Sequence, residues 1–312
     1  MNPTLGSAKV DKILTQFSQM YRNDTYIAEQ VLPVLKVKEK SGQYAKYNKE
    51  NLRAYVDNIY RAPGTRAHTV DYSVSQGTYT CREHAIEKRV PDEFKNNTDN
   101  PYDAKRDATA VIMDNIWVNQ ELALATTMRD ATVLTSNTTL SGTDQWSDYA
   151  NSDPIGDIET GIAAVRSLTA KRPNTAVMGH DVWLKLKYHP DVREQVKYTG
   201  NGRFSDAAFG SFIKEFFSLD NVFVGAAIYD TAVEGQTASL SDIWTKDFWL
   251  LYQNKRPTLM SATFGYTLSD TPRYVDQYRE ESTKSDVVRV QYSYDQNIFD
   301  VNLAYLINDA IA

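Results

Sequence analysis

The chain has 312 residues, 42% of them apolar and 24% charged, with a formal net charge of −6 from 34 basic and 40 acidic side chains. That size leaves room for roughly two domains, and the acidic balance argues against long-range attraction to nucleic acid or an anionic membrane. The single cysteine, Cys81, excludes an intrachain disulfide and a cysteine-cluster zinc site and fits a reducing cytoplasm, while 20 tyrosines point to broad half-buried surfaces.

No window reaches the ~18 apolar residues of a membrane span, and the opening MNPTLGSAKVDKIL lacks the apolar centre of a signal peptide. Residues 1–33 contain one short amphipathic stretch (Val10, Ile13, Leu14, Phe17, Met20, Tyr21) and read as an arm that packs on something else. From Val34 the pattern alternates, with Leu35 and Val37 against Lys36, Lys38 and Lys40. This predicts a strand wet on one face, whose partner comes later among Val70, Tyr72, Val74, Tyr79, Cys81, Ile86 and Val90. Between them lies a polar tip over residues 48–68 with the turn signal RAPGTRAH. A two-stranded flap with so few large apolar residues needs a neighbour to pack against.

Residues 102–130 contain no Gly or Pro and predict one long helix. Its apolar side comprises Ala104, Ala108, Val111, Asn115, Val118, Leu122 and Ala125, widened by Ile112, Ile116 and Ala123. The other side carries Asp103, Arg106, Asp107, Gln120 and Glu121, facing water or a neighbouring copy. Asn115 either fixes the register of a partner element or faces solvent at the edge of the stripe. Pro101 suits a first helical turn, with Asn100 or Asp99 as cap.

Residues 132–152 read as loop. Asp153 and Pro154 then predict an N-cap and first turn, and Ile155, Ile158, Ile162, Val165 and Leu168 a helix ending before Pro173. Residues 175–178 predict a strand, residues 180–189 a helix closed by Pro190, and Phe209, Phe212, Ile213, Phe216 and Phe217 a third helix. VFVGAAIY and FWLLYQ are continuous enough to be strands buried on both faces, so residues 154–254 form a compact α/β body. Val288, Val290, Tyr292 and Tyr294 alternate with polar residues in a late strand, and VNLAYLINDAI closes the chain.

Strong enzymatic motifs are absent: there is no GxxxxGK[ST], GxGxxG, HExxH, GxSxG or EF-hand loop. His180 and Asp181 lie between a strand and a helix, where a polar pair satisfies free helix N–H groups better than it aims at a substrate. Gly200, Asn201 and Gly202 read as a flexible turn rather than a phosphate cradle. Cys81 with His84 would be a nucleophile pair only if both faced one way, and strand residues three apart do not. No catalytic, cofactor-binding or metal-binding residue is expected. Around the flap tip, Arg53, Asp57, Arg61 and Arg66 read as inter-subunit ion-pair partners in preference to DNA contacts, with a plain solvated loop as the bland alternative. Glu121 joins them as a candidate inter-subunit contact.

The order of parts resembles the major capsid proteins of tailed bacteriophages, the Hong Kong 97-like fold. The wording is closest in DPIGDIETGIAAVRSLTAKRPNTAVMGHDVWLKLKYHPDV and in the closing VVRVQYSYDQNIFDVNLAYLI. The resemblance implies an α+β chain with an N-terminal arm (1–33), an extended β-hairpin loop (34–99), a spine helix with the first part of a peripheral domain (100–153), an α/β axial domain (154–254) and a peripheral return (255–312). It implies a structural, non-enzymatic subunit without cofactors that assembles as pentamers and hexamers into an icosahedral shell. The shell would enclose double-stranded DNA without sequence-specific binding and without a membrane. Assembly in the host cytoplasm and scaffolding, portal and decoration proteins as partners are implied in the same way. Some relatives cross-link covalently through a lysine of the extended loop; Lys46 and Lys49 lie in a comparable region, but no acceptor or acid is identifiable and the chemistry is not expected here. An encapsulin-type shell around a cargo enzyme is the second reading, and an α/β enzyme with a regulatory flap the third.

Overall fold

The computed structural model describes residues 9–20, 25–47, 59–61, 63–67, 69, 74–93, 101–198, 205–232, 235–256, 258 and 262–312. The chain opens with strand β1 (Lys9–Val10), helices α1 (Lys12–Met20) and α2 (Ala28–Val31), and strands β2 (Val34–Lys36), β3 (Ser41–Tyr47), β4 (Val74–Thr80) and β5 (Arg82–Pro91). The long helix α3 (Pro101–Arg129) and strand β6 (Asn137–Thr139) follow. The middle of the chain holds α4 (Pro154–Thr169), β7 (Thr175–Gly179), α5 (His180–Tyr188), α6 (Pro190–Tyr198), α7 (Asp206–Phe216), β8 (Asn221–Gly225), β9 (Ile228–Asp230), β10 (Leu240–Asp242) and β11 (Phe248–Leu251). Two long strands, β12 (Gly265–Glu280) and β13 (Ser285–Ile298), and the short β14 (Ala304–Asn308) complete it.

Two sheets carry the fold. The first runs β1-β12-β13-β5, with β2 also paired to β12. The second runs β6-β14-β11-β7-β8 and forms the α/β body. Its central strands β7 and β11 are buried throughout, as continuous apolar runs require. The Asp153 carboxylate accepts from the Gly156 N–H at 2.9 Å and Pro154 occupies the first turn, so α4 begins where its capping residues place it. At Gly179 the backbone passes so close to the carbonyl oxygens of Trp244 and Thr245 that a Cβ has no room.

Several pairings differ from the sequence expectation. β2 does not join the flap but lies parallel to β12, Val34 opposite Thr267. The hairpin is β3 with β4, Ser41 opposite Thr80 and Tyr47 opposite Val74. β5 leaves it to pair with β13 along ten positions from Pro91 to Arg82. The segment read as loop contains β6, and the closing strand β14 enters the α/β body between β6 and β11. Pro190 ends one helix and also starts α6, since its missing N–H costs nothing at a first turn.

Helix α3 crosses from one sheet to the other. Ile112, Met113, Ile116 and Trp117 pack with Leu14, Val275, Val288, Val290 and Tyr292 on the first sheet. Leu124, Ala125 and Met128 pack with Ile27, Val31, Leu32, Trp244 and Trp249 over the second. Each such fully buried large side chain contributes on the order of 1.5–3 kcal/mol. The buried face is rotated from the expected one: Val111 is 45% exposed, and Asn115 and Ala123 are exposed. Asn115 therefore takes the solvent alternative, its Nδ2 donating to the Val111 carbonyl at 3.0 Å. The physical reason lies in the spacing. Buried positions advance by four (Ala108, Ile112, Ile116, Gln120, Leu124, Met128), and four residues overshoot a full turn by ~40°. The strip winds ~200° around the helix over five such steps, so the two ends present different sides to two different sheets.

Candidate functional site

Where α3 passes between the sheets, it carries Glu121. This side chain is fully buried, which corrects the expectation that it faces water or a neighbouring copy. Its Oε2 accepts from the Ala28 N–H at 2.7 Å and the Ile27 N–H at 3.2 Å, and its Oε1 accepts from Ile27 at 3.0 Å and from the Trp244 indole N–H. The two N–H groups are free ends of α2, which has no cap of its own, and a carboxylate there satisfies them. Burial pushes the Glu121 carboxyl above the usual carboxylate range, with the hydrogen bonds acting in the opposite direction. One side chain thus ties together the segment entering α2, the long helix and the loop before β11.

Beside it opens a cleft of about 530 Å³ lined by Trp117, Gln120, Glu29, Lys36, Arg273 and Tyr292 among others. The Arg273 guanidinium lies 5.4 Å from the Trp117 ring centre and 5.3 Å from that of Tyr292, and pairs with Glu29 at 3.4 Å. Gln120 is 1% exposed, and neither amide atom has a hydrogen-bond partner. Sequence reasoning missed this cleft. No local signal marks it, because Gln120 and Glu121 fall on the side of the helix that the sequence pattern assigns to water.

The other candidates separate. Arg61 and Arg66 are exposed at the hairpin tip, whereas Arg53 and Asp57 lie outside the described residues, as do Lys49 and Gly200, Asn201 and Gly202. Tip and Glu121 do not form one surface, because Glu121 is interior. Cys81 is fully buried, its Sγ 3.5 Å from the Leu268 carbonyl, and burial pushes the thiol up. His84 stacks on Tyr294 at 4.3 Å. His180 and Asp181 are exposed in the first turn of α5, and no side chain caps that helix at Gly179. The expected capping role is not taken, because both residues already belong to the helix. Among the described residues no group of His, Cys, Asp or Glu could hold a metal, and no helix is long and apolar enough to cross a membrane.

The family described as phage major capsid protein E matches residues 126–263. The major capsid protein of Burkholderia phage BcepMu is 27% identical over 307 residues, covering 96% of each chain. That of Pseudomonas phage JBD67 is 27% identical over 263 residues, 83% of this chain and 82% of its own. The chain resembles phage major capsid proteins over nearly its whole length. The crystal structure of a phage-related protein from Bordetella bronchiseptica RB50 superposes with a TM-score of 0.76 at 26% identity, covering 96% of this chain and 97% of that one. The capsid of cyanophage P-SCSP1u, at 11% identity and a TM-score of 0.57 over 92% of this chain and 89% of that one, shares the fold alone.

Proposed function

We propose that the chain is the major capsid subunit of a phage head, a structural protein and not an enzyme, which self-assembles into an icosahedral shell around double-stranded DNA. The carrying observation is the likeness to a named major capsid protein along 96% of both chains, on a fold whose long helix joins two sheets. In this reading the architecture is Hong Kong 97-like. Residues 1–33 act as the N-terminal arm, 34–99 as the extended loop, α3 as the spine, 154–254 as the axial domain and the long strands β12 and β13 as the peripheral domain. The return of β14 to the α/β body adds a refinement: the end of the chain reinforces the axial part as well.

The mechanism is geometric. Heterologous contacts between identical subunits close into pentamers and hexamers, and projecting parts bury surface that one subunit leaves open. The net charge of −6 suits a wall that holds DNA without gripping it. Scaffolding, portal and decoration proteins are partners in this proposal, the virion is the destination and the host cytoplasm the place of assembly. The encapsulin reading is not favoured, since the full-length relatives are named as phage capsid proteins. Electron microscopy of the purified chain tests the proposal. Hollow shells or rings are expected, and a monodisperse monomer at high concentration would overturn it. A copurifying cargo enzyme would restore the encapsulin reading.

A further inference from the structure

The cleft beside Glu121 holds polar groups that the folded chain leaves unmatched. Gln120 on α3 is 1% exposed, and its side-chain amide neither donates nor accepts a hydrogen bond among the described residues. Arg273 on β12 lines the cleft with its guanidinium over the rings of Trp117 and Tyr292. Its Nη2 faces Glu29 at 3.4 Å, whereas Nη1 is buried without a hydrogen-bond partner. Lys36 on β2 adds an exposed ammonium at the rim. The carboxylates nearby are already engaged, Glu29 with Arg273 and Glu121 with the N–H groups of Ile27 and Ala28. What remains open is positive, in a chain whose net charge is −6.

We infer that this cleft binds an extended acidic segment of another protein, with an aspartate or glutamate side chain on Arg273 Nη1 and Lys36 and the adjoining main chain on Gln120. A carboxylate meets both cations through charge-assisted hydrogen bonds. A peptide group supplies one donor and one acceptor, the two functions that the Gln120 amide lacks, and rotation of that side chain turns it toward them. Other ligand classes fit less well. A fully ionised phosphate satisfies the cations but offers Gln120 no donor, and an apolar segment seals the guanidinium and the amide away unmatched. The volume of about 530 Å³ is that of a pocket for a few side chains. The site belongs to the single chain, so binding to it is measured apart from shell formation.

Titration of the unassembled full-length chain tests the site, with a Gly-Glu-Ala-Glu-Gly peptide blocked at both ends and its glutamine counterpart as probes. Trp117 lines the cleft, so tryptophan fluorescence reports occupancy. Saturable binding of the acidic peptide is expected, about tenfold or more tighter than that of the neutral one and weakened by added salt. Lys36→Glu, on the exposed rim, should lower the affinity about tenfold with unchanged circular dichroism. Gln120→Leu separates binding from folding, because it fills the same space without an unmatched amide. Its urea midpoint should hold or rise while peptide affinity falls about fivefold. Equal affinity for the two peptides would overturn the inference, as would binding that neither substitution changes, or no binding by fluorescence and calorimetry. A dimer in sedimentation that Lys36→Glu abolishes, with no peptide bound, would give the cleft to a second copy instead. Failure of the parent chain to form particles bears on the capsid reading alone.

Discussion

Replacing Glu121 by alanine removes the acceptor for three buried donors at once: the N–H groups of Ile27 and Ala28 and the indole N–H of Trp244. Each orphaned donor costs on the order of 1–3 kcal/mol, a gross loss of ~3–9 kcal/mol. Part is returned, because the variant no longer buries a carboxylate whose ionised form the site disfavours. The net expectation for Glu121→Ala is a loss of ~3–5 kcal/mol, the size seen when one partner of a buried polar group is removed. That is a large share of the ~5–15 kcal/mol by which folded proteins are stable. Urea unfolding of the unassembled subunit, followed by tryptophan fluorescence, measures it directly because Trp244 touches the altered site. Glu121→Gln keeps the volume and one oxygen and should lose less. The pH dependence gives an independent check. Burial raises the Glu121 pKa in the folded state, so this group favours folding most below its unfolded value and loses that contribution as pH rises through the folded value. The stability gap between the parent and Glu121→Gln should therefore narrow from about pH 4 upward, starting at the ordinary carboxylate range. A Glu121→Ala protein within about 0.5 kcal/mol of the parent would refute the whole account of this junction, since that is the scatter of surface substitutions.

Leu124→Ala, at a position 1% exposed, should cost ~2–5 kcal/mol in the same unfolding assay, whereas Val111→Ala, 45% exposed, should cost less than ~1 kcal/mol; equal losses would mean the helix is rotated. Gly179→Ala should yield insoluble protein or lose more than ~3 kcal/mol, because the new methyl meets main-chain carbonyls of Trp244 and Thr245 that cannot step aside. His189 is fully buried, with Nε2 3.0 Å from Ser152 Oγ, and burial lowers its pKa despite the nearby Asp191 and Asp153. The neutral ring therefore supports folding above the ordinary histidine value of ~6.5, and that support fades as pH falls through the lowered one. Stability measured between pH 7 and 5 should fall in the parent and run flatter in His189→Gln.

How much of this was legible beforehand follows from the range of the interactions. Helix α4 was readable because Asp153, Pro154 and the Ile158–Ile162–Val165 stripe act within a few residues of one another. The strands β7 and β11 announced their double-sided burial by having no polar alternation. The pairing of β2 with β12 was not readable, since Val34 and Thr267 meet only through the folded chain and many strands offer the same alternation. The cleft was invisible for the same reason: Gln120 and Arg273 are far apart in sequence, and a glutamine in a helix carries no sign of burial.

The amino-acid sequence by itself determined that residues 101–129 form one unbroken helix, because no residue in it interrupts the local hydrogen-bond ladder and Pro101 suits the first turn. Its two ends, however, face two sheets assembled from distant segments, and only that arrangement decides which side is inward at each turn. An average over the whole helix therefore finds Ala108, Ile112, Ile116 and Ala125 but wrongly turns Val111, Asn115 and Ala123 inward and Gln120 and Glu121 outward. Glu121 shows the consequence most plainly. Read locally it is a charged residue on a polar side, and in the fold its partners Ile27 and Trp244 arrive from 94 and 123 residues away to make it the buried centre of the junction. The tertiary structure alone made that decision, because a buried carboxylate is tolerated only where donors converge on it.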